Sequence, residues 1–581
     1  MLREYALLAD GHRGALIAPR GDIAWLCAPR WDSDAVFASL IGGQGSYCVT
    51  PSGRFVWGGH YEEGSLIWRS RWVTEAGVVE SREALAYPGE RDHLVLLRRV
   101  IAVHGTAVVQ VRLQPVTQFG PQGVSELARD EAGGWQARLG PMWMRFSGVS
   151  DASPEQPNHP TPALHTTLSL AEGTHHDLVL ELSEHRPKGP APSPDRTWDV
   201  TESSWAAAVP RFETSIATGD TRHSYAVLRG LTAPGGGTVA AATTSLPERA
   251  RAGRNYDYRY VWIRDQCYTG RAMAIGEPRP LLDDAVRFVT DRLLADGPNL
   301  KPAYTVEGTP VPAERSLRLA GYPGGSDIVG NDAGSQFQLD LFGEALLLLA
   351  AAADHDRLDR DAQLAMDTAA AAIAARWREP DAGIWELDDR RWAHSRLMCA
   401  AGLRAAANHT SPGQAPDWSA LADAITADTA DCRHPTGRWQ RAPDDPRVDA
   451  ALLLPALRGA VPARDPRSIA TLDAVRSELA TDGYVYRFRH DARPLHEAEG
   501  AFTLCGFLLS QALFQQGDCV GAMRFFERNR AACGPPGLFS EEYDVVQRQL
   551  RGNLPQAFVH ALLIETAQRL AEPVPSSREP T

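Results

Sequence analysis

No apolar run in the 581 residues approaches the roughly 18 consecutive apolar residues that span a bilayer, which excludes a membrane-spanning helical protein. The start, Met1-Leu2-Arg3-Glu4-Tyr5 leading to Asp10-Gly11-His12-Arg13, lacks the uninterrupted apolar stretch of a secretory signal, so a cytoplasmic location is expected. Cysteine is sparse: the eight residues at 27, 48, 267, 399, 432, 505, 519 and 533 form no C-x-x-C pair. Neither a disulfide framework nor a zinc module is indicated, and buried free thiols are the expectation. Dense Lys/Arg runs are also missing, and a net charge of −13 disfavours a nucleic-acid partner.

What is present is a soluble globular composition, 44% hydrophobic and 23% charged, in a chain too long for one ordinary core. Residues 1 to about 210 show short alternating runs broken by Gly, Pro and Asp, such as Ala15-Leu16-Ile17-Ala18, Arg20-Gly21-Asp22 and Ile23-Ala24-Trp25-Leu26. These predict strands and turns, and Leu94 to Val103 followed by Val108 to Leu113 predicts a hairpin in a large antiparallel sheet. Two Pro-rich stretches, 152–162 and 185–194, are expected as exposed loops, and 571–581 as a disordered tail.

Beyond about residue 220 the apolar period becomes three to four residues. Twelve helices are predicted, near 222–232, 264–276, 281–295, 335–354, 359–378, 391–408, 417–432, 447–458, 466–478, 499–516, 518–532 and 553–570. Connections after odd-numbered helices are long, and most of those after even-numbered helices are short. In an antiparallel succession the long ones gather on one face, where binding residues sit on a rigid scaffold. Twelve such helices closed on themselves make an (α/α)6 barrel; an open solenoid is disfavoured because no motif repeats at a fixed period.

Three long connections concentrate aromatic and charged residues: Arg254 to Asp265, Asp381 to Glu386, and Gly537 to Asp544. Carboxyls among aromatics are partly desolvated, so one can stay protonated as an acid while a better hydrated one serves as base, as glycosidic cleavage requires. Each feature also has a plainer structural explanation. Trp385-Glu386 reads equally as an aromatic anchor beside a surface charge, Ser540-Glu541-Glu542 as a helix N-cap with acidic first-turn residues, and Arg264-Asp265 as a local ion pair at a helix start.

Taken in order, these residues resemble glycoside hydrolase family 15, the bacterial glucoamylase and glucoamylase-like trehalase group. The resemblance is carried by Leu8 to Gly11, Asp22 to Ser33, Thr243 to Glu248, Asn255 to Asp265, Gly383 to Glu386, Glu499 to Phe502, Phe539 to Asp544 and Gly552 to Phe558. It implies an N-terminal super-β-sandwich (1–210), a linker (211–222) and an (α/α)6 catalytic barrel (223–570). It also implies that Glu386 is the general acid and Glu541 the general base. Arg264 and Asp265 would grip hydroxyls of the terminal glucose, and Tyr258, Trp262 and Trp385 would wall the same subsite.

His394 and Glu499 are candidates for the leaving-group side. Leu387 departs from the second Glu that follows the acid in fungal glucoamylases, and the loop Leu317 to Asn331 also differs, so the leaving sugar stays open among trehalose, isomalto- and malto-oligosaccharides. The expected activity is inverting, exo-acting hydrolysis of an α-glucoside to β-glucose, with carboxyls roughly 6.5–9.5 Å apart to admit a water. No metal or cofactor is expected. The alternatives are an inverting phosphorylase, against which the base Glu541 argues, and an inactive glucan-binding protein.

Overall fold

The computed structural model describes residues 1–155, 161–250 and 253–573. The first part holds two eight-stranded antiparallel sheets. One runs in spatial order Ala6–Ala9, Gly14–Ile17, Asp22–Cys27, Ser46–Pro51, Ala107–Gln114, Ala163–Leu170 and Ser153–Glu155, with Ala35–Phe37 paired to Asp22–Cys27. The other runs Ser125–Arg129, Trp135–Leu139, Met142–Ser147, His175–Ser183, His93–Gly105, Gly77–Leu85, Trp68–Thr74 and Phe55–Tyr61. Period-two patterning makes the sandwich: in Ala107–Gln114, Ala107, Val109, Val111 and Leu113 face inward while Val108 and Gln110 face out.

The hairpin expected between Leu94–Val103 and Val108–Leu113 does not form. His93–Gly105 pairs with Gly77–Leu85 and His175–Ser183, whereas Ala107–Gln114 pairs with Ser46–Pro51 and Ala163–Leu170 in the opposite sheet. The short link at Gly105-Thr106 is a corner between sheets, because both edges of each strand are taken by other partners. Of the two Pro-rich loops, 184–193 is irregular as expected; in the other, Ser153–Glu155 joins a sheet as an edge strand, and 156–160 lie outside the described residues. The tail expected from 571 lies outside them from 574 onward.

An unexpected helix closes the strand-rich part: α1, Pro194–Ala208, begins with proline in its first turn, where the missing N–H costs nothing. Its buried stripe is Trp198, Thr201 and Trp205, and Trp205 stacks on Tyr87 with ring centroids 4.0 Å apart.

Every expected barrel helix has a counterpart. They are α2 (Thr218–Leu231), α3 (Ile263–Met273), α4 (Pro280–Asp296), α5 (Asp340–Ala353), α6 (Arg360–Arg376), α7 (Ala393–Ala407), α8 (Ala415–Asp428), α9 (Leu454–Leu457), α10 (Pro466–Glu478), α12 (Thr503–Gln515), α13 (Cys519–Arg530) and α14 (Ala557–Arg569). A single-turn helix, α11 (Leu495–Ala498), lies within a connection. The eighth position is the shortest: Asp449 accepts a hydrogen bond from Ala451 N and caps a 3-10 turn, Ala450–Leu453, that runs into α9.

Among the described residues α3, α5, α7, α9, α12 and α14 form an inner ring that closes where α14 packs on α3. The inner helices α5, α12 and α14 are buried along almost their whole length, whereas outer helices such as α8 and α10 bury one stripe. Helices α5 and α7 approach closely through Gly343 and Gly402; a Cβ on Gly343 would lie 2.4 Å from the Met398 carbonyl oxygen.

Candidate active site

The long connections of the barrel converge on a cavity of about 300 Å³. Five of the six supply its lining: 232–262 gives Glu248, Arg254, Tyr256, Tyr258 and Trp262; 297–339 gives Glu314, Asn331, Asp332 and Gln336; 377–392 gives Trp385, Glu386 and Leu387; 479–502 gives Arg487, His490 and Phe502; and 531–556 gives Glu541 and Gln556. Arg264, Asp265 and Tyr268 line it from the first turns of α3. The remaining connection reaches the site indirectly, as Asp449 accepts the Trp385 indole N–H at 2.9 and 3.1 Å.

Glu386 sits at the end of a tight turn. Asp381 Oδ1 accepts from Gly383 N (2.8 Å) and Ser395 Oγ (2.9 Å), and the Leu387 N–H returns to the Ala382 carbonyl (2.8 Å). Gly383 has φ +67°, and a Cβ there would meet the Trp392 ring at 2.7 Å. Glu386 itself has φ +54°, a left-handed conformation that costs a non-glycine residue about 1–3 kcal/mol and persists where its surroundings fix it. The turn aims the carboxyl at Trp262, whose indole N–H donates to Oε1 at 2.8 Å. Arg264 ties α3 to the same turn by donating to the Ile384 carbonyl (2.8 Å), and pairs with Asp265 at 3.1 Å. Burial pushes the Asp265 carboxyl up to about 6, with Arg264 opposing.

Glu541 is presented differently. Ser540, Glu541 and Glu542 do not cap a helix: Glu542–Asp544 pairs with Gln549–Arg551 as a small hairpin, and Ser540 Oγ accepts from Arg551 N. The Tyr258 hydroxyl donates to Glu541 Oε2 at 2.9 Å, and its ring meets Trp262 edge to face with centroids 5.5 Å apart. Adjacent aromatic donors thus hold Glu386 and Glu541 in one cavity. Burial and the neighbouring Glu248 raise the Glu541 carboxyl well above the ordinary range, with Arg487 and Tyr258 opposing.

Tyr258 is fixed by its neighbours in sequence. Arg259 donates to Asp257 through Nε (2.8 Å) and Nη2 (2.6 Å), and reaches the Ser33 carbonyl (2.8 Å) and Cys27 Sγ (3.3 Å) in the sandwich. Asp257 also accepts from Gly330 N at 3.0 Å, next to Asn331 of the cavity wall. This clamp joins the sandwich to two lining connections.

Of the residues expected from sequence, Glu386, Glu541, Tyr258, Trp262, Arg264, Asp265 and Trp385 all line the cavity, as does Leu387. Glu499 does not. It lies behind the wall, where its carboxylate is taken by Arg487 (2.7 Å) and His490 (2.7 Å), which face the cavity in its place. His394 likewise sits behind the Glu386 turn; burial pushes it down to about 3, so it is neutral. Glu248, Arg487 and His490 were not singled out as site residues. The run Tyr484-Val485-Tyr486-Arg487-Phe488-Arg489-His490 shows the same aromatic and charged concentration as the three connections that were.

Among the described residues a β-sandwich is joined to a twelve-helix barrel whose pocket holds two carboxyls on aromatic donors amid aromatic and charged side chains, the architecture and site of a glycosidase. The model of glycosyl hydrolases family 15 matches residues 222–568, and that of a trehalase-like N-terminal domain matches residues 2–185. The trehalase of Mycobacterium tuberculosis is 31% identical over 97% of this chain and 88% of its own length. Trehalase 1 of Sulfolobus acidocaldarius is 26% identical over 97% of this chain and 98% of its own length. A bacterial glucoamylase solved with acarbose shares the fold, with a TM-score of 0.71 at 14% identity over 98% of this chain and 94% of that one. The chain belongs to glycoside hydrolase family 15. No helix among the described residues is long and apolar enough to cross a membrane.

Proposed function

We propose that this chain is an inverting, exo-acting trehalase that cleaves α,α-trehalose by a single displacement. Glu386 protonates the glycosidic oxygen as the C1–O bond breaks, and Glu541 takes a proton from the water that attacks C1 from the opposite face. The products are one β-glucose, from the attacked ring, and one α-glucose, from the leaving ring. The observation that carries the reading is the pair of hydrogen bonds from Trp262 to Glu386 and from Tyr258 to Glu541, which fix two carboxyls from different connections around one cavity.

Arg264 and Asp265 supply a fixed donor and acceptor for hydroxyls of the attacked glucose. A volume near the lower end of the roughly 300–1,000 Å³ of small-molecule sites supports a short saccharide. The trehalase relatives span nearly the whole chain, which favours trehalose as the substrate and glucose as the leaving sugar. No cofactor enters the scheme.

Glu386→Gln is expected to lower turnover of trehalose by at least about 10²–10⁴-fold while binding is kept. Wild-type-like turnover in this variant contradicts the acid assignment. Incubation with trehalose, isomaltose, maltose and soluble starch, with and without phosphate, is expected to give glucose from trehalose foremost. Glucose 1-phosphate in the phosphate arm refutes the hydrolase reading.

A further inference from the structure

Connection 429–449 contributes no side chain to the cavity lining among the described residues, yet it ends on one that touches the wall. Asp449, 4% exposed, places its carboxylate among three donors. Oδ1 accepts from the Trp385 indole N–H (2.9 Å) and from Ala451 N (2.9 Å). Oδ2 accepts from Arg441 Nε (2.9 Å) and stands 3.1 Å from the same indole nitrogen. Arg441 is buried as well, pairs with Asp445 at 3.1 Å and covers the Phe488 ring, 3.7 Å from its centroid.

Trp385 has a use for such a partner. It is half-buried in the wall, its ring meets Phe502 edge to face with centroids 5.3 Å apart, and the Arg487 guanidinium lies 5.5 Å from its centroid. These contacts hold the ring without choosing its direction, because apolar packing is non-directional and the outer side-chain torsion of tryptophan is roughly two-fold. The indole N–H is the only polar group of the side chain and so its one directional handle. Asp449 takes it.

The same stretch grips the adjoining wall through the backbone. Asp449 bridges Phe488, Ala450 N donates to the Arg487 carbonyl at 2.8 Å, and Arg447 Nη1 donates to the carbonyls of Arg489 (3.1 Å) and His490 (3.2 Å). Arg487, His490 and Phe502 all line the cavity. One connection therefore sets Trp385 against the segment that carries its neighbours.

We infer that Asp449 is a positioning residue for sugar binding: it selects the orientation in which the Trp385 indole walls the cavity, and thereby governs affinity for trehalose from a connection that lines none of it. The inference rests on the reading of this cavity as the trehalose site. Asp449 also caps the turn Ala450–Leu453 and pairs with Arg441, and neither of these tasks passes through Trp385.

Steady-state kinetics on trehalose for wild type, D449N, D449L, W385F and W385F/D449L separate these tasks. D449L is expected to raise KM about tenfold, the scale of a hydrogen bond to a charged acceptor, with kcat within about twofold, since a wall that contacts the sugar alike in ground and transition state acts through KM. D449N, whose amide oxygen still accepts from the indole, is expected to stay within about threefold of the wild-type KM. In the W385F background, where no indole N–H remains, D449L is expected to add less than about twofold. Equal KM penalties for D449L in both backgrounds, or a loss confined to kcat, overturn the inference. Should D449L not fold, W385F removes the same bond from its other end, and a wild-type KM there overturns the inference as well. Absence of trehalose turnover in wild type refutes the reading of the site and the inference with it, whereas turnover with equal penalties refutes the positioning role alone.

Discussion

Replacing Arg259 with methionine tests whether the sandwich holds the catalytic site in register. The Arg259 guanidinium is buried and makes its hydrogen bonds to Asp257, Ser33 and Cys27 without solvent. Its removal strands the Asp257 carboxylate in the core, and breaking a buried pair from one side costs about 3–5 kcal/mol. Tyr258 lies between the two partners in sequence, so the hydroxyl that serves Glu541 loses its bearing as well, and a misplacement of about 1 Å can cost on the order of 10²-fold in rate. The expected outcome for Arg259→Met is a lowered denaturation midpoint together with a drop in kcat on trehalose. Pairing it with Asp257→Leu removes the stranded charge and is expected to restore much of the stability but little of the turnover. Those contacts are coupled, so the two single effects are not expected to add. A single variant with wild-type midpoint and wild-type kcat refutes the clamp, and full recovery of kcat in the double variant refutes its role in placing Tyr258.

Tyr258→Phe removes a hydroxyl that lowers the Glu541 carboxyl, so the acid limb of kcat/KM is expected to rise; a hydrogen bond to a charged group is worth about 1.5–3 kcal/mol, or roughly one to two pH units. An unmoved limb counts against Tyr258 as the donor that lowers the Glu541 carboxyl. Glu499→Gln tests the ion-pair cluster behind the wall. Burial opposes the Glu499 charge, yet Arg487 and His490 hold its carboxyl down to about 2. The stabilisation is therefore fully present above the ordinary unfolded carboxylate value of roughly 4.3 and is lost as pH falls through about 2. The gap between wild type and variant, about 3–5 kcal/mol near neutrality by denaturant unfolding, is expected to close over that acidic window; a gap independent of pH refutes the assignment.

The barrel was legible because its inner and outer helices alternate in sequence and the short and long connections alternate with them. Local patterns carry that information, and even the compressed eighth position was placed, with Asp449 marking where its first turn begins. The sheet pairing was not legible. Leu94 to Val103 and Val108 to Leu113 look like a hairpin, and only the partners on their other edges, far away in sequence, send them into different sheets. Helix α1 was hidden by the Pro-rich run before it, although Trp198 and Trp205, seven residues apart, mark a buried face.

In the site, the motif runs located Glu386, Glu541 and the Arg264-Asp265 pair in one cavity, because each lies in a short segment dense in aromatics. Glu499 was misplaced for a physical reason: a carboxylate in such a segment serves equally well as a salt-bridge partner for cations that themselves face the ligand. Glu248 was overlooked because it stands outside the aromatic runs in sequence and meets Tyr258 only in the cavity wall.

The central claim is inversion by a water activated at Glu541, and proton NMR of the first glucose released from α,α-trehalose in ¹⁸O-labelled water tests it most directly. The account predicts equal initial amounts of α- and β-glucose before mutarotation, with the label in the β-anomer. Initial release of α-glucose alone would contradict it.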